Sequence, residues 1–106
     1  MSQSMSPLYA KLLGETARIA WKELEPFFAR GLLLLAAPGT DLPAVAEALA
    51  EDDREQVSGW LAAGQLRKLE AEDARVFADG EPQLWAVVVA PWVLVQDRSG
   101  QAGARS

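Results

Sequence analysis

The sequence predicts an α+β fold of winged helix-turn-helix type, a three-helix core closed by a small antiparallel sheet. Three observations predict it. Apolar residues recur at helical spacing from Leu8 to Phe28 and again from Leu42 to Leu61. Short, continuous apolar runs bounded by Pro and Gly stand at Leu32 to Ala37 and from Leu84 to Val95, the signature of buried strands. The elements follow in the order helix, strand, helix, helix, strand, excursion, strand.

Ser4 or Ser6 with Pro7 starts the first helix, and Leu8, Leu12, Leu13, Ala17, Ala20, Leu24, Phe27 and Phe28 form its stripe. Pro26 cannot donate a backbone hydrogen bond and clashes with the preceding turn, which predicts a kink or two consecutive helices. Gly31 ends the segment as a C-cap. Leu32 to Ala37 is the first strand, closed by Pro38-Gly39. Asp41 caps a helix carrying Leu42, Val45, Ala46 and Leu49. Asp53 with Gln56 three residues on resembles a capping box for the next helix, whose Val57, Trp60 and Leu61 form one apolar face and whose end is Gly64. Gln65 to Glu70 reads as a weak strand, Glu72 to Ala78 as a short helix or irregular excursion, and Asp79 to Pro82 as a turn. Leu84 to Val95 supplies the final strand or strands, with Pro91 imposing an edge, a bulge or a break.

The chain of 106 residues has room for one domain, expected over 7–97, between a flexible N-terminus at 1–6 and a Gly- and Ser-rich tail at 98–106 expected to be disordered. Half the residues are hydrophobic and 24% charged, an ordinary globular balance. Cysteine is absent, and the N-terminus lacks the cationic start of a secretory signal, which together predict a cytoplasmic protein. No apolar run reaches the ~20 residues that span a bilayer, so no membrane association is expected.

Chemistry is limited by what the chain lacks. Without histidine or cysteine it has neither the commonest general base nor the usual ligands of zinc, so no catalytic residue, metal or cofactor is assigned. Glu51, Asp52, Asp53 and Glu55 are the densest supply of carboxylates; acids at a helix start serve first as caps and dipole partners, and a cation there is the lesser reading. A net charge of −5 opposes binding to phosphate backbones. The helix that would read DNA offers Arg54 and Gln56 among Asp53 and Glu55, and Arg67-Lys68 is the sole adjacent cationic pair. No nucleic acid is expected as a partner.

Four tryptophans are many for this length. Trp60, in phase with Val57 and Leu61, belongs to the core. Trp85 and Trp92 differ by an odd number, so in one uninterrupted strand they would face opposite sides, unless a bulge at Pro91 brings them together. The final strand lacks polar alternation, so both its faces ask for cover. Trp85, Val87, Val89, Trp92 and Leu94 are therefore the candidate interface, and a homodimer the expected partner state. The predicted function is a non-catalytic protein-interaction module. A winged-helix transcriptional regulator binding DNA with a partner is the alternative, and a carboxylate-dependent enzyme a lesser one.

The segments Ala20-Trp21, Pro26 to Gly31 and Leu84 to Gln96 resemble an uncharacterised bacterial family, the domain of unknown function numbered 2288. The resemblance spans roughly Pro7 to Gln96. It implies a small cytoplasmic protein and brings no activity, cofactor or catalytic residue.

Overall fold

In a computed structural model of the chain, residues 6–99 are described. Of the segments expected to be flexible (1–6) and disordered (98–106), residues 1–5 and 100–106 lie outside the described residues. Ten elements follow one another: α1 (Pro7–Glu15), β1 (Ala17–Ile19), α2 (Trp21–Ala29), β2 (Leu33–Ala36), α3 (Leu42–Ala50), α4 (Arg54–Ala63), β3 (Leu66–Lys68), α5 (Ala71–Asp79), β4 (Leu84–Val89) and β5 (Trp92–Asp97).

The local signals are where the sequence places them. The Ser6 hydroxyl accepts from the Tyr9 amide, with Pro7 in the first helical position. Asp41 caps α3 by accepting from the Ala44 amide, and Asp53 caps α4 by accepting from the Gln56 amide. After α2, Gly31 has φ +74°, with its amide bonded to the Phe28 carbonyl and that of Leu32 to the Phe27 carbonyl. This is the left-handed C-terminal motif that glycine adopts at least cost. Gly64 closes α4 in the same conformation.

The first expected helix is two helices with a strand between them. The break falls at Thr16 to Ala20, not at Pro26, which lies exposed inside α2. Glu72 to Ala78, left open between helix and excursion, is helical as part of α5.

The fold is α+β, but its sheet is five-stranded and mixed rather than small and antiparallel, and it carries five helices rather than three. Strand order is β1-β4-β5-β2-β3. All neighbours are antiparallel except β2 and β5, which run parallel with Leu33 opposite Val93 and Ala36 opposite Gln96. Pairing β2 with the last strand puts the sheet in the middle of the molecule, so helices cover both sides. On one face α1, α3 and α4 pack through Leu12, Leu42, Val45 and Ala46, with Val57 and Trp60 alongside, onto Leu34, Leu66, Val87 and Leu94. On the other, α2 and α5 pack Trp21, Leu24 and Phe77 onto Leu33, Leu84, Val93 and Val95. The rings of Trp21 and Phe77 meet at 5.8 Å between centroids, tilted by 57°. The two-sided cover that the apolar final strand asks for is thus supplied within the chain.

Candidate functional site

The expected final strand is a hairpin. The chain reverses at Ala90-Pro91, whose peptide bond is cis, and the register runs from Val89 opposite Trp92 to Leu84 opposite Asp97. With a reversal between them, Trp85 and Trp92 share one face although their numbers differ by an odd amount. That face also carries Val87, Val89, Leu94 and Gln96, and it turns toward α1, α3 and α4.

The five candidate interface residues therefore divide. Val87 is 1% and Leu94 0% exposed, both enclosed by the chain's own core. They offer nothing to a partner. Val89 and Trp92 are half-buried and pack against that core near the hairpin's end. Trp85, half-buried at the other end, lies under the Arg98 guanidinium, 4.9 Å from the ring centroid. Sequence reasoning missed Val88, which points to the opposite face and is 59% exposed. Strand parity alone would have separated Val88 from its neighbours. β1 starts at Ala17, opposite Ala86, so it does not reach Val88 along that side of β4.

Arg98 belongs to a network that composition does not reveal. Its Nε donates to Gln96 Oε1 at 2.8 Å, and Gln96 Nε2 donates to the carbonyls of Thr40 at 2.7 Å and Ala37 at 2.9 Å. Gln96 is the buried polar side chain of the core, and these bonds satisfy both ends of its amide.

The acidic turn between α3 and α4 is largely capping. Asp53 holds the Gln56 amide at 3.2 Å and the Gln56 side-chain nitrogen at 3.0 Å, and these bonds, the side-chain one foremost, hold its carboxyl below the usual range. Asp52 sits at φ +56° with the Arg54 Nε 3.4 Å from its carboxylate. Glu51 and Glu55 are exposed and, among the described residues, pair with no cation. Among those residues no group of three or more acids is placed to hold a metal ion.

Arg67 and Lys68 do not form one cationic patch. Being consecutive in β3 they face opposite sides, and Arg67 makes a two-bond pair with Asp73, both 2.8 Å. Asp73 also accepts from the Glu70 amide at the start of α5, and the Arg67 guanidinium beside it holds its carboxyl below the usual range. Elsewhere Tyr9 donates its hydroxyl to Asp41 at 2.8 Å, a bond that raises the phenol above its ordinary value.

A cleft of about 590 Å³ lies between the β1–α2 junction and the end of α5. Two cations, Arg18 and Lys22, and two acids, Glu23 and Glu25, line it together with Trp21 and Phe77. Its charges balance, and it contains no nucleophile paired with a base. No helix of the described residues is long and apolar enough to cross a membrane.

The model of a family of proteins of unknown function, DUF2288, matches residues 7–97. The chain is also similar to PA1075 of Pseudomonas aeruginosa, known from an NMR solution structure. Identity is 57%, over 93% of this chain and 92% of that one, with a TM-score of 0.78. No curated protein matches the chain. The match agrees with the resemblance carried by Ala20-Trp21, Pro26 to Gly31 and Leu84 to Gln96, and it covers nearly all of the fold just described: the chain belongs to the DUF2288 family of proteins of unknown function.

Proposed function

We propose that the protein is a non-catalytic cytoplasmic protein-interaction module that associates with a second copy of itself through the outer end of the β4–β5 hairpin. The observation that supports this is the run Val88 to Trp92, five consecutive apolar residues at the turn. Ala90 and Pro91 are exposed with Val88, and Val89 and Trp92 are half-buried. No charged residue occurs from Leu84 to Gln96, in a chain of net charge −5. Two copies meeting there oppose no like charges, whereas most other approaches bring acidic surfaces together. A two-fold arrangement would pack the same residues against one another.

The patch is small beside the roughly 800 Å² per partner that stable complexes bury, so the association is weak and reversible. The interaction reading is preferred to a winged-helix regulator. In that alternative, α3 and α4 with their three-residue turn would be the helix-turn-helix unit and α4 would face DNA. The carboxylates of Glu51, Asp52, Asp53 and Glu55 surround the one cation of that surface, Arg54, and would repel phosphates.

Sedimentation velocity from low to high micromolar concentration tests the reading. The expected result is a mass rising from the 11.4 kDa monomer toward the dimer, and a Val88→Glu variant that stays monomeric over the same range. A wild-type protein that is monomeric throughout, or a variant that associates equally well, overturns it.

A further inference from the structure

The geometry points to a docking surface for an acidic protein segment, one whose carboxylates engage Arg98 and Arg18 beside Trp85. It is independent of self-association at the hairpin's end, because Val88 lies on the opposite face of the sheet from Trp85. Arg18 in β1, Trp85 in β4 and Gln96 in β5 stand in one row across three neighbouring strands. Directly opposed residues point to the same face, so the side chains of Arg18 and Trp85 leave the sheet together, with about 5 Å between their Cβ atoms. Arg98 reaches over the ring from the end of β5, 4.9 Å from its centroid.

Gln96 distinguishes Arg98 from an ordinary surface cation. Its side chain is 1% exposed, and its Nε2 donates to the Thr40 and Ala37 carbonyls, which fixes where its Oε1 stands. That oxygen accepts from Arg98 Nε at 2.8 Å. The guanidinium plane is thus held at two points, by the buried amide and by the Trp85 ring. Covering a tryptophan needs only an aliphatic stem. Fixing the fork as well leaves both Nη groups oriented, and among the described residues neither makes a hydrogen bond or ion pair. Arg18 is exposed and, among those residues, also pairs with no carboxylate. The nearest preceding acids in the chain are engaged elsewhere: Glu15 faces Lys11, and Asp97 accepts from the amide and hydroxyl of Ser99. An oriented fork with free donors matches a carboxylate, which it binds through two parallel bonds. In a chain of 15 acidic and 10 basic residues, this row gives an acidic segment attraction and a defined register. A nucleic acid fits less well, since two cations release too few counterions to hold a phosphate backbone against a net charge of −5.

The test is a titration of the ¹⁵N-labelled full-length protein, at low ionic strength, with a synthetic peptide of glutamate and glycine. Amide shifts are followed together with the Trp85 indole N–H and the Arg98 Nε–H. A peptide with glutamine for every glutamate and an oligothymidylate of equal charge serve as controls. The expected result is saturable shifts at Arg18, Trp85 and Arg98 with the glutamate peptide, none with the glutamine peptide and weaker binding of the oligothymidylate. Arg18→Glu, changed at an exposed side chain, should weaken binding about fivefold or more. Arg98→Lys keeps the charge but loses the fork, and it should weaken binding as much as Arg98→Gln does. Absence of saturable shifts, shifts centred elsewhere, equal binding of the glutamine peptide, or tighter binding of the oligothymidylate each overturns the inference. So does full affinity in Arg18→Glu or in Arg98→Lys. Val88→Glu protein should bind the peptide as the wild type does, so loss of dimerisation and loss of peptide binding are separate outcomes.

Discussion

Val88 and Val93 stand directly opposite each other across the β4–β5 hairpin and point to the same face of the sheet, yet Val93 is 4% exposed and Val88 59%. Val93 belongs to the core cluster with Leu24 and Leu33, and Val88 lies outside it. Replacing Val88 with Glu should therefore shift stability by no more than about 0.5 kcal/mol, as expected of an open surface site. Val93→Ala should cost roughly 2 kcal/mol, because it opens a cavity among Leu24, Leu33 and their neighbours. Urea denaturation of both variants checks the contrast, and a Val88→Glu protein that loses as much as Val93→Ala would disqualify it as the dimer probe.

Gln96 joins the sheet to the loop before α3. Its replacement by Leu keeps the side chain's bulk but leaves the Thr40 carbonyl without this donor, the Ala37 carbonyl with the Thr40 amide alone, and Arg98 without its acceptor. The expected loss is about 2 kcal/mol, the penalty for leaving the half-buried Thr40 acceptor and the Arg98 donor unpaired. Thermal unfolding should show a drop of roughly 10 °C for a domain of this size. A Gln96→Leu variant as stable as the wild type would mean that water replaces the amide.

Two ionisable groups give opposite pH dependences. The carboxyl of Asp73 is held low by Arg67, so its contribution is present above pH 3.8, its value when unfolded, and is lost as pH falls through the lower folded value. The phenol of Tyr9 is held high by Asp41, so its contribution is present below pH 10.0 and is lost as pH rises through the folded value. Asp73→Asn should lower stability at neutral pH by about 1 kcal/mol and flatten the acid limb of the stability profile. Tyr9→Phe should flatten only the alkaline limb. Denaturation midpoints measured across pH check both, and an unchanged acid limb in Asp73→Asn would remove Asp73 from the account.

Asp52 occupies the left-handed region at φ +56° in the turn between α3 and α4. Asp tolerates this conformation better than most residues but less well than glycine. Asp52→Ala should therefore be less stable than Asp52→Gly by about 1 kcal/mol, a difference independent of the charge that both remove. Equal stability of the two variants would show that the turn relaxes.

What the sequence by itself determined are the features made within a few residues. Ser6, Asp41 and Asp53 cap their helices with amides three positions away, and Gly31 and Gly64 end helices by their own backbone freedom. Such bonds depend on neighbours in the chain, so type and spacing suffice to read them. The buried character of Leu32 to Ala37 and of Leu84 to Val95 was legible for a related reason, since apolar content does not depend on what covers it. Pairing was not. β1 is three residues hidden in an apparent helical stripe, and it forms a strand only because β4 offers it an edge. The parallel contact of β2 with β5 joins segments separated by half the chain, and it alone moved the sheet to the centre and gave the final strands two helical covers. The same contact decided the candidate interface: Val87 and Leu94 went into the core and Val88 stayed outside. Which face of a strand is buried follows from partners distant in sequence, and a single strand's composition carries no record of them.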